Sequence, residues 1–214
     1  MDLEARLVSG LKAFLRRAPS QREIGRFSKY LFLLRQWNRV YALTGYREPA
    51  AILDRLFFDS LLFLPFIPPG TTHLLDLGSG AGIPGLPLKI IEPAYSLTLI
   101  EARRRKGSFL ATVVRELALE DVRILTGRAE ALINDFAFLD GGFDTVVTRA
   151  SGPVDRIIPL AFRFLRTGGT FVASGPPPSK LRVTSTKLGS WMVVTSPLSG
   201  LPRQFLVVEK KTLK

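Results

Sequence analysis

TTHLLDLGSGAGIPG, residues 71–85, runs from a short apolar segment straight into a glycine loop. Residues 72–77 predict a buried strand, and the glycines bring bare backbone to its end. Such a turn suits a nucleotide-like ligand held against main-chain atoms. Pro84 is expected in the first turn of the next helix, where a missing N–H costs nothing, and that helix should reach about Ile91. Downstream, residues 95–100, 122–125, 143–147 and 169–173 read as further strands, with helices at 107–117, 129–133 and 154–165 between them. Residues 191–195 and 205–208 close the sheet as an antiparallel pair. Alternating strands and helices predict an α/β fold with helices on both faces of the sheet. The strands are short continuous apolar runs, as burial on both faces requires.

Upstream the pattern is helical. Leu3, Leu7, Leu11 and Phe14 form one apolar stripe. Ser20 precedes Glu23 at the capping-box spacing and opens a second helix, with Ile24, Phe27, Leu31 and Leu34 on one face. QWNRVYALTG ends it in a turn, and a third helix is expected over 49–63 before PFIPPG stops it. This divides the chain into a helical segment, 1–65, packed on a main domain, 66–214. The one low-complexity stretch is Pro176 to Pro178.

The chain has 214 residues, 46% of them hydrophobic, and a mean hydropathy of +0.19, so it folds. No run is long and apolar enough for a spanning helix, and no signal-like segment opens the chain, which predicts a cytoplasmic protein away from membranes. With no cysteine and a single histidine, thiolate and all-histidine metal sites are excluded, and no metal is expected. The net charge of +12 is sorted: residues 1–50 carry +6, residues 51–175 carry zero, and residues 176–214 carry +6. A neutral middle with basic ends predicts a catalytic body that grips a polyanion, with Lys12, Arg16, Arg22 and Arg26 as candidate contacts.

The glycine loop has two readings. Gly80 to Gly85 matches G-x-G-x-x-G, with Glu101 about twenty residues on, as in dinucleotide sites. Asp76 to Gly82 also reads D-x-G-x-G-x-G, in which the chain passes close to the methionine part of S-adenosylmethionine and Glu101 takes the ribose hydroxyls. An NAD-dependent oxidoreductase fits poorly: 214 residues leave little room for a second nucleotide-binding half, and no acid/base residue stands where hydride transfer needs one.

RQWNRVYALTG, RLFFDSL, LLDLGSGAGIPGLPLKIIEP, LTLIEARRRKGSFL, GRAEAL, FDTVVTRA and FRFLRTGGTFVA, in this order, resemble the bacterial enzymes that methylate N7 of one guanine in 16S ribosomal RNA, the glucose-inhibited division protein B family. LPRQFLVVEKK is similar to that family's last strand. The resemblance implies a class I S-adenosylmethionine-dependent methyltransferase fold, a seven-stranded Rossmann-like sheet of order 3-2-1-4-5-7-6 behind a helical segment. It implies S-adenosylmethionine as donor and 16S ribosomal RNA or the small ribosomal subunit as substrate. By position, Gly78, Ser79, Gly80, Ala81, Gly82 and Ala102 would line the donor, Glu101 would take its ribose, and Ala129 and Glu130 would sit at its adenine. Arg128 and Arg149 would act at the reaction centre, and Asn38, Thr44, Arg55, Asp59, Ser60 and Arg149 would face the substrate. Two positions depart from the family pattern: Leu56 follows Arg55 where a histidine is usual, and Ser174-Gly175 replaces a lysine-glycine pair. They bear on substrate grip, target choice or rate, not on the donor site.

Guanine N7 carries an in-plane lone pair and no proton, so methylation there needs positioning and dryness rather than a general base. A chain poor in histidine and cysteine suits that chemistry. An arginine fork matches the N7/O6 edge of guanine, and with N7 reacting, Arg149 could hold O6 or a neighbouring phosphate. His73, at the wrong end of the first strand, is left aside. Arg103 to Lys106 are cations at a helix start, where the dipole disfavours them, and phosphate contact gives them a reason. Trp37, Phe57 and Phe58 read as core packing before base stacking. Two alternatives stay open: a methyltransferase of another RNA site, and a catalytically impaired RNA-binding or ribosome assembly protein. A monomer is expected.

Overall fold

In β1 (His73–Leu77) four consecutive residues after His73 are buried, so the strand has no solvent face. β2 (Ser96–Glu101) and β4 (Phe143–Arg149) pair parallel on either side of it. β3 (Val122–Thr126) lies outside β2, and β5 (Leu165–Ser174) lies parallel to β4. β6 (Gly189–Thr195) and β7 (Pro202–Glu209) form the antiparallel end, with β7 against β5. The seven strands therefore run in the order 3-2-1-4-5-7-6, and a two-residue strand, Ser185–Thr186, pairs onto the free edge of β6. This computed structural model describes residues 2–149, 154–175, 185–186 and 189–211; Pro176 to Pro178, singled out above, lie outside them.

Three helices precede the sheet. α1 (Leu3–Leu15) packs on α2 (Gln21–Tyr41), which opens on the expected capping box: Glu23 N donates to Ser20 Oγ and Ser20 N to Glu23 Oε2. α3, residues 49–61, is not regular. Its α-helical ends, Pro49–Ile52 and Asp59–Leu61, flank a π-helical turn, Leu53–Phe58. The helix stops at Leu61, two residues short of the expected end, and a 3₁₀ turn, Leu64–Phe66, follows it.

The crossover helices are α4 (Gly85–Ile91), α5 (Arg104–Glu116), α6 (Ala129–Asp135) and α7 (Val154–Phe164). Successive strand residues feed opposite layers. Leu74, Leu97 and Leu99 join the core built with α1 to α5, while Leu75, Ile100 and Val146 join the core built with α6 and α7. Phe27, Phe57 and Phe58 lie deep in the first of these cores, and Trp37 packs at 5.6 Å on Phe109, so these aromatics are packing residues. Pro84 corrects one expectation: it caps α4 rather than entering its first turn, and Gly85 N is satisfied by the Asp76 carboxylate. α5 also starts three residues earlier than expected, which places Arg104, Arg105 and Lys106 in its first turn.

α2 and α5 run antiparallel. Arg26, near the start of α2, donates to the Leu117 and Ala118 carbonyls that end α5, and Lys29 pairs with Glu116 at 3.1 Å. At the other end of the pair, Arg105 lies 5.7 Å over the Tyr41 ring. The strand order reverses between β1 and β4, and a crevice opens at their C-terminal ends, where open α/β sheets bind ligands.

Candidate active site

The turn after β1 is held from below. Gly78 N and Ser79 N both donate to the Ile100 carbonyl at 2.9 Å, and Ser79 Oγ donates to the Asp76 carbonyl oxygen. Gly78, Gly80 and Gly82 all have positive φ, a conformation side chains resist. The glycines then differ. A Cβ on Gly80 would find nothing nearer than 3.8 Å, so this residue presents bare backbone to open space. A Cβ on Gly82 would meet Leu86 at 2.4 Å and the Tyr30 hydroxyl at 2.7 Å, so Gly82 exists for close packing.

The cleft encloses about 580 Å³, with Gly78 to Ala81, Glu101, Ala102 and Arg103 on one side and Leu43, Thr44, Leu56, Lys106 and Arg149 around the rest. Gly82 does not line it. Glu101 is buried, and its carboxylate closes the loop: Oε2 accepts from Gly80 N at 2.9 Å and Oε1 from Arg103 N at 2.8 Å. A carboxylate has about four acceptor positions, so two remain for incoming hydroxyls. Asp76 lies beneath, fully buried; Gly85 N bonds one oxygen, and the other has no partner among the described residues. Burial pushes its carboxyl up to about 7.

Sequence reading missed Tyr30. It is fully buried in mid-α2, and its hydroxyl donates to the Ala81 carbonyl, tying α2 to the glycine loop. The signal was available: Tyr30 stands three residues from Phe27 and four from Leu34, a lone hydroxyl on an apolar face.

The opposite wall is ionic. Arg149, at the end of β4, donates from Nη2 to the Arg55 carbonyl in the π-helical turn at 2.7 Å and lies 3.9 Å from Asp59. Asp59 is only 5% exposed and is held at 2.8 Å by Arg203 from β7. Burial raises the Asp59 carboxyl and lowers the Arg149 guanidinium from their ordinary values, each against the pull of its partners. Ser60 is fully buried, and its hydroxyl donates to the Leu56 carbonyl. Asn38 bonds the backbone of Thr44 and Tyr46 and lines a separate cavity, whereas Thr44 reaches the cleft. Arg128 caps α6 with an exposed side chain that has no hydrogen bond or ion pair among the described residues. Ala129 is buried and Glu130 exposed, and neither lines the cleft. His73 is exposed at the far end of β1, beside Thr72. Lys12, Arg16 and Arg22 lie where α1 ends and α2 begins, at the end of the α2–α5 pair away from the loop. Among the described residues, no helix is long and apolar enough to cross a membrane and no acid, histidine or cysteine cluster could hold a metal.

The family model described as rRNA small subunit methyltransferase G matches residues 23–175. The chain belongs to that family. Ribosomal RNA small subunit methyltransferase G of Xanthomonas campestris pv. campestris is 37% identical over 172 residues, covering 80% of this chain and 76% of that protein. The protein of the same name from Nitrosomonas europaea is 35% identical over 163 residues, covering 75% and 72%. A solved SAM-dependent methyltransferase from Aquifex aeolicus matches with a TM-score of 0.54 at 16% identity, covering 75% of this chain and 93% of that one. Precorrin-6y C5,15-methyltransferase from Geobacter metallireducens also gives 0.54, at 15% identity, covering 71% and 87%. The fold is that of the class I methyltransferases.

As a small-subunit methyltransferase G family member, the chain is an S-adenosylmethionine-dependent enzyme that methylates ribosomal RNA. The loop fits its donor: Gly80 leaves room for close approach, and Glu101 keeps free acceptor positions beside it. Of the two positions read in sequence as departing from the family pattern, one lies at the cleft and one beside Arg149. Leu56 lines the cleft, and Ser174 pairs in register with Arg149.

Proposed function

We propose that this enzyme transfers the methyl group of S-adenosylmethionine to N7 of a guanine in 16S ribosomal RNA. One observation carries the choice of atom. Among the described residues that line the cleft, Glu101 is the only acid, it is already bonded to two main-chain amides, and no histidine, cysteine or tyrosine lines it. Nothing there is placed to take a proton, which suits a nucleophile that has none to lose.

The donor supplies a methyl group on a positively charged sulfur. The chain's own residues position the partners and exclude water. Gly78, Ser79, Gly80, Ala81 and Ala102 form the donor floor, with Glu101 accepting from ribose hydroxyls. Arg149, fixed by the Arg55 carbonyl and Asp59, faces the entering base and holds O6 or an adjacent phosphate while N7 attacks. Thr44 and Leu56 complete the base pocket, Ala129 with Glu130 serves the adenine edge, and Arg128 joins Arg149 near donor and target. Residues 1–65 form a helical segment packed on the core and 66–214 the methyltransferase domain. The enzyme acts as a cytoplasmic monomer on the small subunit or its RNA.

Labelled donor incubated with undermethylated small subunits, protein-stripped 16S RNA or large subunits tests this reading. Label should enter one of the first two, at N7. Transfer should survive His73→Ala and fall at least tenfold, about 1.4 kcal/mol, in Arg149→Ala. Label at another atom overturns the product, and no label with normal donor binding overturns the activity.

A further inference from the structure

A second concave surface lies beside the cleft. Arg35 and Arg39 stand one turn apart on the last part of α2. Beyond them Asn38 builds a turn. Its Oδ1 accepts from Thr44 N at 2.8 Å, its Nδ2 donates to the Tyr46 carbonyl at 2.9 Å, and Thr44 Oγ1 accepts from Tyr46 N. The turn carries Arg47 back toward α2, so that Arg35, Asn38, Arg39 and Arg47 line one cavity of about 310 Å³.

Among the described residues no acid lines this cup, and none of its three arginine side chains has a hydrogen bond or ion pair. That sets them apart from Arg6, Arg17 and Arg203, each paired with a carboxylate, and from Arg26, bonded to carbonyls. Three like charges around one cavity repel each other, and a bound anion relieves that repulsion. Guanidinium forks match phosphate oxygens in particular. The cup neighbours the cleft, because Thr44, bonded through its N–H to Asn38 of the cup, itself lines the cleft. Arg103 and Lys106 extend the positive surface into the cleft, and Arg105 lies over the Tyr41 ring at the end of α2.

We propose that the Arg35–Arg39–Arg47 cup holds a phosphodiester of the ribosomal RNA strand that delivers the target base. This rests on the RNA reading above and deepens it. The grip on RNA then lies at the C-terminal end of α2, beside the cleft. The basic residues where α1 meets α2 face away from the reaction.

The test compares the full chain with the triple variant Arg35→Gln, Arg39→Gln, Arg47→Gln and with Lys12→Gln, Arg16→Gln, Arg22→Gln, which removes the same charge from the far end. The probe is undermethylated small subunits or 16S RNA over a range of salt. Each lost contact to a single strand should flatten the plot of log affinity against log salt by about 0.7. The cup variant should show a slope shallower by about 1–2 and at least tenfold weaker binding, with KM for RNA rising more than kcat falls. Its donor affinity should be unchanged, and the variant with lysine at all three positions should recover most of the slope. An unchanged slope, a slope that moves only in the far-end variant, or donor binding lost together with RNA binding overturns the cup. A wild-type chain that neither binds nor methylates ribosomal RNA overturns the function reading instead, and the cup with it.

Discussion

Arg203 donates from Nε to Asp59 Oδ2 at 2.8 Å and brings Nη2 equally close to the same oxygen, joining the last strand to α3 across 144 positions of sequence. The oxygen so held is also the one nearest Arg149, so the closing strand stands directly behind the residue that faces the substrate. Removing one partner of a buried pair leaves an uncompensated charge, at a cost of about 3–5 kcal/mol. Asp59→Ala should therefore lower the urea midpoint sharply. Arg203→Ala should both destabilise the fold and let Arg149 turn toward Asp59, lowering kcat with donor affinity intact. Equal kcat in wild type and Arg203→Ala would separate the strand from the reaction.

Tyr30 is expected to act on the donor through the loop. Tyr30→Phe leaves the Ala81 carbonyl without its buried donor, worth about 1–3 kcal/mol. Calorimetry should show donor affinity reduced severalfold, with RNA binding unaffected. Unchanged donor affinity would make Tyr30 a packing residue only.

Glu101 holds Gly80 N and Arg103 N as well as facing the donor. Glu101→Ala should weaken donor binding by about 1–3 kcal/mol, as for a lost charge-assisted bond. Glu101→Gln should be nearly as damaging, because an amide NH₂ in place of one oxygen would point at a main-chain N–H. A glutamine variant with wild-type affinity would show that only one of the two loop bonds matters.

Asp76 should give the fold a pH dependence. Its carboxyl is raised by burial from 3.8 to about 7, so between those values the native state binds more protons than the unfolded chain. Stability is then full below about pH 4 and declines as pH rises toward 7, by on the order of 4 kcal/mol. Urea unfolding from pH 5 to 8 should show this decline, and Asp76→Asn should flatten it. An equal slope in that variant would assign the decline to another group.

Leu56 and Ser174 give a further test on the Arg149 side of the cleft. Ser174 is the register partner of Arg149, and Leu56 lines the cleft. Installing the residues usual in the family, Leu56→His with Ser174→Lys, should change RNA KM or kcat and leave donor affinity as it was. A change in donor affinity alone would mean that these positions serve the donor.

The parts legible in sequence are those set by local pattern. Apolar runs gave the seven strands, Ser20 and Glu23 gave the start of α2, and positive-φ glycines marked the loop. Three features escaped because they depend on distant partners or exact register. Gly80 and Gly82 look alike in the motif, yet one faces the cleft and the other packs on Leu86. The π-helical turn over Leu53–Phe58 leaves the helical stripe intact in sequence while placing the Arg55 carbonyl toward Arg149. The basic residues could be counted but not located, since only the antiparallel run of α2 along α5 shows which end of α2 meets the cleft.

That helix also has a mechanical meaning. Tyr30 fastens to the glycine loop and Asn38 to the arginine cup, and the two stand eight residues apart on one uninterrupted helix, about 12 Å along its axis. Arg26 and Lys29 pin its other end to the tail of α5, so α2 cannot slide without breaking those contacts. The spacing between the donor loop and the cup is thus set by a rigid rod, like the fixed gap of a caliper. A strand seated in the cup presents to the donor whichever base lies one caliper-width along it, and distance becomes part of how the target is chosen.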